Sequence, residues 1–215
     1  MRIAVVSDIH GNRTAFEAVL ADLKQAAPDL IFHGGDLADG GSSPVEIVDR
    51  VRELGWAGII GNTDEMLARP ESLQDFAKAT PAMQPLLPII EEMAAATRER
   101  LGEERLAWLG RLPMSQEHDN VALVHARPDS AWRAPAPEAS DQELESVYGV
   151  LRRPLVVYGH IHRPYIRRVG GIAVANSGSV SLSYDGDPRA AYLLVDNGVP
   201  AIRRVEYDVE KELRV

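Results

Sequence analysis

Short apolar runs alternate with amphipathic segments in the first quarter of the chain. Residues 1–7 are apolar and rich in β-branched side chains, which predicts a strand, and residues 14–26 carry apolar side chains at helical spacing. The same order repeats at Leu30–His33 and after Ser43, where the sequence fits a helix capping box. A third strand is predicted at residues 57–60. Repeated strand–helix–strand order predicts a parallel sheet with right-handed connections.

The remaining chain predicts a helical insertion followed by a second set of strands. Alanine, glutamate, arginine and leucine dominate residues 71–110, so we expect helices there, interrupted by three prolines. The whole chain, residues 1–215, is expected to form a single domain. Further elements are predicted as strands at residues 121–124, 155–158, 166–169, 172–175, 190–195 and 201–207, a proline-rich loop at 128–137 and a helix at 141–151. The late strands are expected to be antiparallel, with Gly170-Gly171 as a hairpin turn.

Polar side chains recur where predicted strands end. In open α/β sheets, ligands bind beyond the carboxyl ends of the strands, so these side chains are expected to meet at one rim. The residues concerned are Asp8, His10, Asp36, Asn62, His125, His160 and His162. Each motif alone fits an ordinary turn or cap, whereas their combination favours a metal site. The other two histidines are interpreted as a satisfied core residue, His33, and a solvated turn residue, His118.

Composition narrows the chemistry of that site. The chain of 215 residues is 45% hydrophobic and has no cysteine, so a metal here must be held by oxygen and imidazole nitrogen. A formal charge of -9 argues against broad attraction to nucleic acid or to an anionic membrane surface. The sequence contains no apolar stretch of membrane-spanning length, and a cytoplasmic protein is expected.

Five motifs in order resemble the calcineurin-like metallophosphoesterase superfamily, and within it the small bacterial and archaeal phosphodiesterases. The motifs are Asp8-Ile-His10, Gly35-Asp36, Gly61-Asn62-Thr63-Asp64, His125 and Gly159-His160-Ile-His162. The resemblance spans nearly the whole chain. It implies an α/β fold, a four-layer α/β/β/α sandwich with a helical insertion, and a metal-dependent phosphoesterase, most simply a phosphodiesterase acting on a small phosphoester.

The same resemblance implies the ligand set. It places Asp8, His10 and His162 on one divalent ion, and Asn62, His125 and His160 on a second ion. Asp36 would bridge the two, because a carboxylate has two oxygens. Asp36, Asn62 and Asp64 are the expected catalytic residues, and the expected nucleophile is a hydroxide bridging two metal ions. Manganese is the first expectation for the metal, with iron, zinc, nickel, cobalt and magnesium as alternatives.

Two positions depart from the pattern. Many members have histidine where this chain has Thr63, and a threonine hydroxyl cannot act as a leaving-group acid near neutral pH. Slow hydrolysis of alkyl esters and a preference for aryl esters are therefore predicted, with Asp64 orienting a substitute water. Gly40 stands where related serine/threonine protein phosphatases carry an arginine, which disfavours that activity. Asp39 is interpreted either as a residue behind the ligands or as a turn residue.

Substrate contacts are less defined by the sequence. Arg127 and Trp132 are candidates, although a solvated arginine and a packed tryptophan are equally good interpretations. Asn12 would either touch phosphate or cap the first helix. The turn that begins at Asn176 is interpreted as structural support for the metal rim.

Other function classes remain open at the level of sequence. A catalytically weak or inactive scaffold with this fold, as in a retromer-like subunit, is the alternative, although all seven ligand positions are filled. A DNA nuclease is disfavoured by the acidic charge. The helical segment at residues 85–109 would either cover the site or form a contact between copies in a homo-oligomer.

Overall fold

Two five-stranded β-sheets, stacked face to face, form the centre of the computed structural model, which describes residues 1–214. The strands are β1 Arg2–Val6, β2 Leu30–His33, β3 Ala57–Gly58, β4 Ser115–His118, β5 Val121–Val124, β6 Leu155–Tyr158, β7 Tyr165–Val169, β8 Ile172–Asn176, β9 Ala190–Asp196 and β10 Val199–Val205. The helices are α1 Arg13–Ala26, α2 Pro44–Leu54, α3 Asn62–Ala68, α4 Glu71–Lys78, α5 Leu87–Leu109, α6 Asp141–Tyr148 and α7 Val209–Glu212.

Each sheet has parallel strands at its centre. The first sheet has the order β10-β9-β1-β2-β3, in which β1 is parallel to β2 and antiparallel to β9. The second sheet has the order β4-β5-β6-β8-β7, in which β6 is parallel to both neighbours and the edge strands are antiparallel. The parallel strands of both sheets therefore present their carboxyl ends to loops that carry the predicted ligands.

The central strands are apolar throughout because both of their faces are covered. In β1, Ile3 and Val5 point into the core between the sheets, whereas Ala4 and Val6 pack against the helices of the first sheet. In β6 the residues alternate in the same way between the central core and a smaller core beneath α6. Helices thus cover both outer faces, which confirms the predicted four-layer α/β/β/α sandwich.

The predicted helical insertion is present between β3 and β4. Pro88 does not interrupt it, because it lies in the first turn of α5, where the missing N–H has no partner to lose. Gly102, in a left-handed conformation, kinks this helix instead. The hydroxyl of Thr97 donates to the carboxylate of Asp39, at 2.8 Å, so the insertion packs against the loop that follows β2. Among residues 1–214, no helix combines the length and the apolar character that crossing a membrane requires.

Three local predictions are wrong. Ser43 precedes α2 but makes no side-chain capping bond. The strand predicted at residues 57–60 is only two residues long. His118 lies in the edge strand β4, which was not predicted because its four residues include no apolar side chain. Edge strands exposed to solvent need no apolar face, so their sequences resemble those of turns.

The histidine predicted to be a satisfied core residue is buried but not satisfied. His33 is the last residue of β2, and its ring packs against Gly58. The ring centroid lies 6.1 Å from that of Trp108. Neither ring nitrogen has a hydrogen-bond partner in the described part of the chain. Burial lowers the pKa of His33 to about 4, so the imidazole is neutral at neutral pH.

We predict that His33 makes the protein sensitive to acid. Its pKa in the unfolded chain is about 6.5, so the unfolded state binds more protons between pH 6.5 and 4, and stability falls as the pH falls through that range. Replacing His33 with leucine should reduce the loss of unfolding free energy between pH 7 and pH 4.5 by about 2 kcal/mol, as measured by urea denaturation. The matched control His118→Leu, at a partly exposed site, should keep the wild-type pH dependence; equal pH dependence in all three proteins would contradict the prediction.

Candidate active site

The loops that carry the seven predicted ligands meet at one end of the two sheets. The loops after β1 and β2 are joined by backbone hydrogen bonds that continue the pairing of the two strands. The backbone N–H of Asp8 donates to Gly35, that of His10 to Asp36 and that of Gly11 to Leu37, at 2.9 to 3.0 Å. Each ligand in these loops is therefore placed by the pairing of two strands.

A segment after β8 joins the second sheet to the same rim. The amide of Asn176 donates to the carbonyl of Gly159, the hydroxyl of Ser179 donates to the carbonyl of Asp8, and the N–H of Val180 donates to the carbonyl of Ser7. The turn that begins at Asn176 therefore supports the rim, as predicted.

Five of the seven predicted ligands have a left-handed backbone conformation. Their φ angles lie between 48° and 66°, and the residues are Asp8, His10, Asp36, His160 and His162. This conformation is uncommon for residues other than glycine, asparagine and aspartate, and it persists only where surrounding bonds enforce it. Half of the non-glycine residues with positive φ among residues 1–214 belong to this set, so backbone strain is concentrated in these loops.

Two glycines allow the carboxylates to lie against the backbone. A Cβ atom at Gly61 would lie 2.0 Å from Oδ1 of Asp36, and one at Gly159 would lie 2.4 Å from Oδ2 of Asp8. The backbone N–H of Thr63 donates to Asp36 at 2.9 Å, and that of His160 donates to Asp8 at 3.2 Å. The glycine before each ligand in the Gly-Asn and Gly-His motifs is thus required by close approach of a carboxylate.

Three histidines are oriented by backbone carbonyls. The Nδ1 atoms of His10, His125 and His162 lie 2.7 to 2.8 Å from the carbonyl oxygens of Asp39, Gly34 and Leu182, respectively. Since a carbonyl only accepts, each Nδ1 donates, and each Nε2 points into the site with its lone pair. His160 differs, because its Nδ1 faces the side-chain amide of Asn62 at 2.8 Å.

These lone pairs face one another. Nε2 of His10 lies 3.3 Å from Nε2 of His162, which in turn lies 3.3 Å from Oδ1 of Asp8. The side-chain amide of Asn62 lies 3.0 Å from Nε2 of His125, and without a bound ion its hydrogen bonds favour the orientation in which its nitrogen faces this imidazole. Acceptors that converge on acceptors are stable only with a proton or a cation between them. The donor set therefore fits a metal ion, and ligand atoms of Asp8, His10 and His162 lie within 4.8 Å of one another.

Asp36 lies between two groups of ligands. Its Oδ2 is 3.6 Å from Nε2 of His10 and 3.4 Å from Nε2 of His125. We call Asp8, His10 and His162 the first ligand group, and Asn62, His125 and His160 the second ligand group. The ligand atoms of Asp8, Asp36 and His125 also form a cluster within 4.8 Å. One carboxylate oxygen thus reaches both groups.

The electrostatics of the site favour bound positive charge. Burial raises the pKa of the Asp8 and Asp36 carboxyls, but the neighbouring histidines outweigh this effect and the pKa of each falls below its usual value. Burial lowers the pKa of His125, but Asp36 and Asp8 raise it to about 10. Two buried, ionised carboxylates therefore create a negative field that attracts cations.

Asp64 is placed behind the ligands. It is fully buried and accepts the backbone N–H groups of Asp36, Leu37 and Gly61 at 2.8 to 3.1 Å. Burial, followed by the charge of Asp36, raises the pKa of Asp64 to about 7. These bonds support a role for Asp64 in holding the loop that carries Asp36, rather than the predicted role of orienting a water molecule.

The three predicted substrate contacts take part in structural interactions. Asn12 caps α1 by accepting from Ala15 at 2.9 Å, and its amide donates to Ser181. Trp132 donates to Glu65 at 2.6 Å and stacks on Phe76. Arg127 is partly exposed and lies 3.2 Å from Asp129. These contacts support the interpretation of Asn12 as a helix cap and of Trp132 as a packed side chain.

Sequence reasoning missed several residues that shape the site. The carbonyls of Gly34, Asp39 and Leu182 orient imidazoles, and only Asp39 had been singled out. The ring of Tyr184 stacks on that of His162. A carbonyl acts in the same way whatever side chain it belongs to, so these contacts leave no signal in residue types.

Comparison with known proteins identifies relatives over almost the entire length. Residues 1–198 match the model of the calcineurin-like phosphoesterase superfamily domain. An uncharacterised protein of Methanocaldococcus jannaschii is 31% identical, over 97% of this chain and 89% of its own. Phosphodiesterase YfcE of Escherichia coli is 25% identical, over 94% of this chain and 91% of its own. The crystal structure of a metallophosphoesterase from Sphaerobacter thermophilus gives a TM-score of 0.81 at 27% identity, covering 100% of this chain and 91% of that one.

We predict that Gly159→Ala impairs metal binding. The added Cβ would meet Oγ of Ser7 at 2.3 Å and Oδ2 of Asp8 at 2.4 Å, so the Asp8 carboxylate must move. Elemental analysis after dialysis against manganese should show at most about half the metal content of the wild type, since displaced ligands typically lower affinity about 10- to 100-fold. The control Gly149→Ala adds a Cβ with only an ordinary contact, at 3.9 Å, and should bind metal normally. Full metal content in Gly159→Ala would contradict the prediction.

Proposed function

We propose a metal-dependent phosphodiesterase activity on a small phosphodiester for this chain, which belongs to the calcineurin-like phosphoesterase superfamily. Its relatives include a phosphodiesterase of Escherichia coli that aligns with 94% of the chain. The acidic charge disfavours nucleic acid as the substrate.

The position of Asp36 is the observation that carries the proposal. Its Oδ2 lies within 3.6 Å of imidazoles from both ligand groups, while its Oδ1 is held by the N–H of Thr63. One oxygen of this carboxylate accepts a backbone hydrogen bond, and the other lies near imidazoles of both ligand groups. Such a carboxylate can contact two cations, one held by each group. The first ligand group would hold one divalent ion, the second ligand group the other, and Asp36 both.

Bound in this way, two divalent cations would supply a Lewis acid that activates water as the nucleophile and offsets negative charge on the phosphoryl oxygens. Oxygen and nitrogen donors without sulfur suit manganese, our first expectation, and also iron, zinc, nickel and cobalt.

The chain's own residues position and shield this chemistry. Carbonyls fix the rings of His10, His125 and His162, so their Nε2 atoms need no reorganisation when a ligand binds. Asp64 fixes the backbone that presents Asp36. Asp8 and Asp36 are almost completely buried, which strengthens their attraction for cations because little water screens them.

Among the described residues, no histidine outside the ligand set is placed to protonate a leaving group. The hydroxyl oxygen of Thr63 is buried, and it has no hydrogen-bond partner in the described residues. Of the two histidines outside the ligand set, His33 is in the core and His118 is in β4. Substrates whose leaving groups depart without protonation, such as aryl esters, are therefore favoured.

We predict manganese-dependent hydrolysis of bis-p-nitrophenyl phosphate. Asp36→Asn and His160→Ala should each lower kcat/KM at least about 100-fold, because the first removes the negative charge of the proposed bridging carboxylate and the second removes a proposed ligand. The release of p-nitrophenol is the measurement. Asp75→Asn, which changes an exposed carboxylate on α4, is the matched control and should leave the rate unchanged. No turnover by the wild type, with any background rate lowered by neither substitution, would favour a binding scaffold instead.

We predict that Thr63→His improves hydrolysis of poor leaving groups. An imidazole with a pKa near neutrality can protonate an alkoxide, an effect commonly worth about 100-fold or more. The ratio of kcat/KM for a dialkyl phosphate to that for bis-p-nitrophenyl phosphate should rise about 10-fold or more relative to the wild type. The aryl ester is the internal control, because its leaving group needs no proton. An unchanged ratio would show that leaving-group protonation is not what limits this enzyme.

A further inference from the structure

An exposed aromatic side chain lies directly on one of the proposed metal ligands. The ring centroid of Tyr184 is 4.8 Å from that of His162, with an angle of 15° between the ring planes. The backbone N–H of Tyr184 also donates to the carbonyl of His162 at 3.1 Å. His162 is 4% exposed, whereas Tyr184 keeps 57% of its surface exposed. Tyr184 therefore lies at the boundary between the buried ligands and the solvent.

Leu182 extends this exposed apolar surface. Its carbonyl orients His162, and its side chain is 49% exposed. Its φ angle of 54° is left-handed, which is unfavourable for leucine. The bond from His162 to this carbonyl, and the bonds that Ser181 and Tyr184 donate to Asp8 and His162, fix the backbone on both sides of Leu182.

The segment that carries Tyr184 is anchored on both sides. Ser183 donates to Asp185 at 2.6 Å, and Asp185 is paired with Arg204 of β10. Asp187 pairs with Arg189 at 2.6 Å. The loop between β8 and β9 is thus cross-linked within itself and to the first sheet, and it presents Tyr184 in a defined position.

We propose that Tyr184, together with Leu182, binds a planar aromatic ring in an ester substituent of the substrate. The inference rests on the proposed function and names its substrate class. A rigid, exposed aromatic ring beside a polar centre can stack a second ring while the anionic phosphoryl group lies over the buried ligands. Every aryl group or nucleobase offers such a face, whereas an alkyl substituent does not.

The test compares two ligands that share one anionic head group. Phenylphosphonate and methylphosphonate are titrated by calorimetry into the full-length protein loaded with manganese. The wild type should bind phenylphosphonate about 3- to 10-fold more tightly than methylphosphonate, the preference expected of one stacked pair. Tyr184→Phe should keep this preference, whereas Tyr184→Ala and Tyr184→Leu should lose it and bind methylphosphonate within about 2-fold of the wild type.

The remaining outcomes separate stacking from a purely structural role. If Tyr184 only held His162 in place, its removal would weaken both ligands equally, and the proposal would be overturned. A wild type that binds both ligands alike, or neither, would also overturn it. Ile89→Ala, which removes a comparably exposed apolar side chain from α5, should change neither affinity. If the phenyl preference is found but bis-p-nitrophenyl phosphate is not hydrolysed, the proposed function fails while the aromatic subsite stands.

Discussion

Two carboxylates buried side by side, those of Asp8 and Asp36, are the constraint on which the arrangement of this site depends. Removing an ionised carboxylate from water costs several kcal/mol or more unless hydrogen bonds and opposite charge replace its hydration. Here the backbone N–H groups of His160 and Thr63 supply part of that replacement. The remaining neighbours are imidazoles, so the balance must come from positive charge, either protons on the imidazoles or bound cations.

This constraint explains the unusual backbone around the site. The carboxylates can lie against the chain only where Gly61 and Gly159 leave room, and the ligands reach inward only because several adopt left-handed conformations. Such strain is tolerated because strand pairing and side-chain bonds fix the loops from both sides. Packing two sheets face to face brings these loops together, since ligands come from the strand ends of both.

The sequence predicts which polar side chains come together at the rim, but it predicts little of what surrounds them. Apolar strands covered on both faces end abruptly at polar residues, so Asp8, His125 and His162 can be recognised from the sequence alone. The carbonyl of Leu182 and the ring of Tyr184 cannot, because each becomes relevant only through a contact made in three dimensions. The same holds for α3, whose seven residues are too few to show an apolar pattern at helical spacing, and for the polar strand β4.

The link between the two sheets through residues 176–181 has a consequence for the order in which the chain can assemble. The loop that carries Asp8 is synthesised before the segment that supports it, because the carbonyl oxygen of Asp8 accepts from Ser179 and Ser181, which follow about 170 residues later. The first sheet likewise has an open edge at β1 until β9 arrives and pairs with it. A nascent chain can therefore carry all seven proposed ligands and still lack the contacts that hold the Asp8 loop in place. Completion of the site thus waits for residues 176–196, so a bound metal would report that both sheets have formed.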